Sequence, residues 1–366
     1  MVKGIYIHVP FCSLKCPYCD FVSIEEKDVS IHKTYIKNIL KELDLYLDKD
    51  YDIGSVYLGG GTPSLLSPDL VSFLIESIHK KINLKKVPEI SVEVNPENYS
   101  FKDFKVLKES GINRVSIGAQ SFLAKNLRSL GRGHSPEDIF RTIDSALKAG
   151  IKNINLDMIY GISGQSLKDL EEDLEVFTSL PVNHISAYML TAYKNTPLGV
   201  KVKKGEYFMP DGDQLLKMFK IIDEYLEEKG FRRYEISNWA KEGYECRHNL
   251  LYWEGEEFLG LGVSAWSYIE GIRFGNTKNL VLYNNMIDKG KKPVEFYDLI
   301  TPEEERKERI FLGIRLKKGI ELDLVKDKMD FVNQIIDEGF AKLEKGRLVL
   351  TQEGVLVSNY ISSRLI

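Results

Sequence analysis

The chain has 366 residues, 43% of them hydrophobic and 28% charged, with a net charge of −4. This is ordinary globular composition: it offers no basic field for nucleic acid and has no apolar run of the roughly 18 residues that a bilayer span needs. Four cysteines make a poor disulfide framework, and polar, Cys-bearing sequence begins too soon for a secretory signal, so a reducing cytoplasm with thiols kept for a metal is expected. The length suggests two domains, or one large domain with an appended module.

The first strand is read at 4–9, "GIYIHV". Directly after it come Cys12, Cys16 and Cys19, spaced C-x3-C-x2-C, while Cys246 stands alone. A structural zinc site wants four ligands, and the nearest extra candidate is His8 on the strand. A disulfide would leave one thiol over. An iron–sulfur cluster takes soft thiolates, and four irons held by three of them leave one iron open to a ligand. The cluster is the favoured reading and zinc the main alternative.

Further strands are read at 55–58, 90–94, 114–118, 153–159 and 184–190. Helical patterns lie at 30–48, 68–81, 101–110, 135–149, 166–179 and 213–229, with Gly111, Gly150 and Gly230 as stop signals. Six such units predict an α/β fold: a parallel sheet with helices on one side, closed or partly closed into a barrel. Strand parity adds a second point. Ile90, Val92 and Val94 alternate with Ser91, Glu93 and Asn95, Val115 and Ile117 with Ser116, Gly118 and Gln120, and Ile154 and Leu156 with Asn153, Asn155 and Asp157. A barrel interior is usually filled with bulky apolar side chains, so a repeated polar face predicts a lumen with a ligand in it.

The stretch "YLGGGTPS" permits a tight turn and close backbone approach at Gly59, Gly60 and Gly61, and it lacks the Lys-Ser/Thr tail of a P-loop. "GLGVSA" at 260–265 is discounted as a dinucleotide fingerprint because no strand–helix–strand unit surrounds it. Beyond about 300 the pattern is helix, helix, short hairpin, helix, a winged-helix-like module. It is not notably basic, so packing or a lid is the expected role.

The C-x3-C-x2-C loop after a first strand resembles the radical S-adenosylmethionine (SAM) superfamily. The resemblance implies a [4Fe–4S] cluster on Cys12, Cys16 and Cys19, with SAM chelating the open iron through its amino and carboxylate groups. It further implies Tyr18 against the adenine and the turn of Gly60, Gly61 and Thr62 on the amino group. In the coproporphyrinogen-oxidase-like branch it implies SAM contacts from Glu93, Gln120, Arg132 and Asp157, and it matches Tyr6 to a SAM-site tyrosine.

"YEISNWA" and "CRHNLLYW" resemble one group within that branch, the HemW-type heme chaperones. His248, Asn249, Tyr252 and Trp253 match the HNxxYW signature that the family associates with heme. Read as residues alone, His248 and Trp253 are better taken as core residues joining two domains, and the resemblance brings the heme reading level with that one. The coproporphyrinogen oxidases carry a longer segment before the cluster and a further cysteine two residues after the third. Here five residues precede Tyr6, and Phe21 takes that cysteine's place. The expected function is therefore heme binding and transfer to acceptor proteins, respiratory ones among them, with cluster and SAM retained and heme as cargo. The alternative is a radical SAM enzyme, the oxygen-independent coproporphyrinogen III oxidase, which decarboxylates porphyrinogen propionates. The expected layout is a partial (β/α)6 radical SAM barrel over 1–231, a connecting region over 232–299 with the HNxxYW motif, and the winged-helix-like domain over 300–366. The resemblance leaves room for a homodimer and for peripheral contact with a membrane.

Overall fold

The computed structural model describes residues 1–84 and 87–366. Six strands run parallel, each beside the next: β1 (Val2–Val9), β2 (Tyr51–Gly60), β3 (Glu89–Val94), β4 (Arg114–Gln120), β5 (Asn153–Tyr160) and β6 (His184–Met189). Helices α1 (Val29–Asp44), α2 (Pro68–Lys81), α3 (Phe101–Glu109), α4 (Pro136–Lys148) and α5 (Leu167–Ser179) make the crossovers, and α6 (Gly212–Glu228) follows β6. Their starts are written locally. Ser135 and Asp138, and Ser166 and Asp169, form reciprocal capping boxes that satisfy backbone N–H groups with no partner inside the helix. Helix α4 shows why the helices lie against the sheet: Ile139, Ile143 and Ala146 recur at helical spacing and are buried.

The sheet grows at both ends of this unit. Beyond β6 it gains the antiparallel pair β7 (Arg232–Glu235) and β8 (Asn238–Ala240), with β8 against β6. The chain then forms the short helix α7 (Arg247–Trp253) and returns to the far side as β9 (Phe258–Leu261), parallel to β1 with Gly4 beside Phe258 and Ile7 beside Leu261. Antiparallel strands β10 (Trp266–Ile269), β11 (Ile272–Asn276) and β12 (Val294–Leu299) complete twelve strands in the order β12-β11-β10-β9-β1-β2-β3-β4-β5-β6-β8-β7. Among the described residues the terminal strands β12 and β7 do not pair with each other, so the expected partial barrel is open. Strands from 232–299 thus belong to the same sheet as the six-unit core, on both of its edges.

Glycines of the "GLGVSA" stretch serve this packing. A Cβ at Gly262 would collide with the Tyr35 hydroxyl and the His8 carbonyl, and Gly262 holds a φ of +98°. After helix α8 (Pro302–Gly313) come the helix Met329–Asp337, the hairpin Ala341–Glu344 with Arg347–Leu350, and the helices Gln352–Leu356 and Ser358–Leu365. This is the helix–hairpin–helix order of a winged-helix-like module. It packs on α6: Gln352 Nε2 donates to Asp223 Oδ2 at 2.8 Å, and Lys220 pairs with Glu353 at 2.8 Å.

Candidate functional site

The cysteine loop is closed by a two-strand clasp, in which Phe11 and Cys12 pair in parallel with Ile24 and Glu25. Cys12 is buried; Cys16 and Cys19 are partly exposed. Thr62 Oγ1 donates to Cys12 Sγ at 3.4 Å, and Arg132 Nη1 donates to Cys16 Sγ at 3.3 Å. All three thiols line one cavity of about 530 Å³. Among the described residues, no group of three or more His, Cys, Asp or Glu is arranged around a single metal ion. A four-iron cluster differs, because each thiolate binds a different iron and the sulfurs stand further apart. The three thiols on one wall fit such a cluster. His8 is no fourth ligand here, since Nε2 pairs with the Val22 carbonyl at 2.8 Å and Nδ1 with the Tyr6 hydroxyl at 3.1 Å. Cys246 is 0% exposed and outside the cavity, and burial pushes its thiol up to about 12.

The polar face read from strand parity lines the same cavity. Glu93 Oε1 accepts from the Tyr57 hydroxyl at 3.0 Å, and Oε2 accepts from Gly60 N–H at 3.1 Å. Burial, with the negative Asp157 nearby, raises the Glu93 carboxyl to about 7. Asp157 accepts from Asn155 Nδ2 at 2.8 Å and Ser116 Oγ at 3.4 Å, and burial raises it too. Gln120 reaches the cavity through a register shift after Ile117 and a left-handed φ of +66°. Arg132 lies beyond its strand and is fixed by Asn95 Oδ1 at 2.5 Å and the Gly118 carbonyl at 3.1 Å. Tyr18 lines the cavity beside Cys16, its hydroxyl kept protonated chiefly by burial. Two carboxylates and a guanidinium that line one cavity with three thiols suit a ligand that carries both amino and carboxylate groups.

Three expectations meet a different local picture. Gly60 (φ +117°) and Gly61 line the cavity, yet a Cβ on Gly60 would stand 2.7 Å from the His8 ring, and one on Gly61 would stand 2.8 Å from the Phe11 carbonyl. Their bareness is required by protein neighbours, whatever the ligand. Tyr6 is not in the cavity wall. Its ring stacks on Tyr57 and His248, at 6.4 and 6.1 Å between centroids. His248 is 1% exposed, with Nδ1 bonded to Ser55 Oγ and Nε2 to the Tyr252 hydroxyl, both at 2.8 Å. Burial, with the Arg114 charge, lowers its pKa to about 3, so it is neutral.

The motif helix α7 packs against the sheet face that carries Gly4, Tyr6, Ser55 and Tyr57. Glu89 accepts from Arg247 N–H at 2.9 Å and His248 N–H at 3.3 Å, and so holds the start of α7. Gly4 makes room for it, since a Cβ there would meet Leu251 at 2.7 Å. Tyr252 faces a second cavity of about 350 Å³, shared with Phe258, Tyr268, Arg273, Phe311 and Leu312. Trp253 lies under the Arg315 guanidinium at 5.5 Å, and Asn249 is partly exposed. Sequence reading passed over Tyr57, although Val56 and Leu58 alternate with it and give the parity signal. Tyr188, also in the cavity wall, had the same signal on β6.

Residues 6–177 match the model of the radical SAM superfamily, and residues 300–357 match that of the HemN C-terminal domain. A protein named heme chaperone HemW from Buchnera aphidicola subsp. Schizaphis graminum is 36% identical over 90% of this chain and 93% of its own. A Bacillus subtilis protein of the same name is 32% identical over 98% of both chains. The solved structure of Escherichia coli coproporphyrinogen III oxidase (HemN) superposes with a TM-score of 0.85 at 19% identity, over all of this chain and 90% of that one, and shows the fold.

Proposed function

We propose, for a chain that belongs to the HemW family of the radical SAM superfamily, that it binds heme and passes it to acceptor proteins. In this reading Cys12, Cys16 and Cys19 hold a [4Fe–4S] cluster, and SAM lies in the adjoining cavity. One observation carries the proposal: three thiols and the polar set of Glu93, Gln120, Arg132 and Asp157 share one cavity, while the HNxxYW helix packs against the same face of the sheet, beside a second, aromatic-lined cavity. A cluster with three thiolates supplies one open iron for the amino and carboxylate groups of SAM. Around it, Glu93 and Asp157 accept from cationic groups, and Arg132 offsets negative charge at Cys16. Tyr252, Phe258, Tyr268 and Phe311 offer faces and edges to a flat macrocycle. His248 would be the residue to ligate heme iron, and it would have to give up the Tyr252 hydroxyl to do so.

The same reading gives heme-accepting proteins, respiratory ones among them, as partners and the cytoplasm as the compartment. No helix among the described residues is long and apolar enough to cross a membrane. The test is hemin titration of the anaerobically reconstituted protein, followed in the Soret region, beside an assay of coproporphyrinogen III decarboxylation. One heme per chain with no decarboxylation is expected. Turnover to protoporphyrinogen overturns the chaperone reading in favour of the oxidase.

A further inference from the structure

The rings of His248 and Tyr57 stack with centroids 5.2 Å apart and planes 19° apart. Tyr57 directs its hydroxyl to Glu93 Oε1 at 3.0 Å, and the other oxygen of Glu93 accepts from Gly60 N–H. Tyr57 and Glu93 line the thiol-bearing cavity, and His248 does not. A continuous track therefore runs from the Tyr252 hydroxyl through His248, Tyr57 and Glu93 to the glycine turn. His248 is also bonded to Ser55, two residues before Tyr57 on the same strand face. Close-packed interiors do not yield by compression, so displacing one member of the track moves the next.

We propose that Tyr57 is a positioning residue that sets the Glu93 carboxylate for the cavity ligand according to where His248 lies, so that the HNxxYW helix and the SAM cavity are energetically coupled. The inference deepens the proposed function and rests on it for the identity of the ligand. With His248 stacked in place, Tyr57 is held and its hydroxyl pins one oxygen of Glu93. When His248 moves away, Tyr57 loses the nearer of the two rings stacked on it, with only Tyr6 left at 6.4 Å, and the carboxylate loses a fixed donor. Linkage makes the effect reciprocal: whatever factor heme imposes on SAM affinity, SAM imposes on heme affinity.

The test is a double-mutant cycle on the reconstituted full chain, with the SAM dissociation constant measured by equilibrium dialysis. Tyr57→Phe keeps the stacked ring and removes only the hydroxyl; about a tenfold weakening is expected. His248→Ala is expected to weaken SAM about fivefold without touching the cavity, and the double variant to be no weaker than the worse single one. The iron–sulfur absorption of each variant reports an intact cluster. Unchanged SAM affinity in His248→Ala, or factors that multiply in the double variant, overturns the proposal. Should His248→Ala fail to load a cluster, a second arm decides. The ratio of SAM dissociation constants with and without one equivalent of heme is expected to be about fivefold in the wild type and to collapse in Tyr57→Phe. An equal ratio in both overturns the coupling. Wild-type protein that binds no SAM defeats the proposed function and this inference together, whereas SAM binding with an additive cycle defeats this inference alone.

Discussion

Arg132 Nη1 donates to Cys16 Sγ at 3.3 Å, while its Nη2 is held by Asn95 and the Gly118 carbonyl. A partly buried guanidinium beside a thiolate lowers the cost of the negative charge that a thiolate-bound cluster carries. Arg132→Met should therefore still load iron, because all three thiols remain, but its cluster should be harder to reduce and quicker to bleach in air. Spectroelectrochemical titration beside the wild type checks this. An unshifted midpoint would confine Arg132 to holding Asn95.

Anaerobic reconstitution should give about four irons per chain. Alanine at Cys12, Cys16 or Cys19 should abolish the cluster absorption. Cys246→Ala should keep it, since that thiol is fully buried outside the cavity and bonded towards Glu89 at 3.5 Å. Iron and sulfide analysis of the four variants decides the matter, and full loading without Cys16 would refute the three-thiolate site.

The Glu93 carboxyl titrates at about 7, pushed up first by burial and then by Asp157, whose own pKa is raised in the same direction. A cationic ligand group favours the ionised form. SAM affinity should therefore rise as pH climbs through about 7, by at most roughly tenfold per unit for one proton released. Stability without ligand runs the other way. The folded pKa lies above the unfolded value of about 4.3, so this group's contribution is complete below that value and is lost as pH rises through about 7. Dissociation constants and thermal midpoints across this range, in wild type and Glu93→Gln, test both trends. The variant should flatten each.

Gly60→Ala places a Cβ 2.7 Å from the His8 ring at a φ of +117°. The strain should cost roughly 1–3 kcal/mol in urea unfolding of the cofactor-free protein. A loss of SAM affinity in this variant would then follow from a displaced His8 and Glu93. Unchanged stability would show that the turn relaxes easily and that its bareness serves the ligand.

Much of the cavity could be read before any coordinates, because a strand's period of two is strict. Glu93, Ser116 and Asp157 had to share a face once Val92, Ile117 and Leu156 were core. The neighbours of β1 could not be read so. Phe258–Leu261 is a short apolar run whose partner lies at the far end of the sequence, and nothing local names it. His248 was legible both as a motif residue and as core, but its neighbours were not. Its motif marks a residue type, while its burial comes from Ser55, Tyr57 and Tyr252, brought together only by the sheet and by α7. Gly60 and Gly61 show the converse, a pattern that suits a ligand and is also demanded by His8 and Phe11.

The parallel pairing of Gly4 with Phe258 sets an order of events during synthesis. The cysteine loop leaves the ribosome well before the strand that covers the open side of β1, which is among the last of the sheet. At about 5–20 residues per second, β1 stands as a bare edge for roughly ten to fifty seconds, with Ile5 and Ile7 together on one of its faces. Helix α7 emerges just ahead of β9, so the histidine motif and the missing neighbour arrive together. A chain that stops at 231 never receives either, and it should aggregate through that edge rather than yield a smaller, soluble barrel.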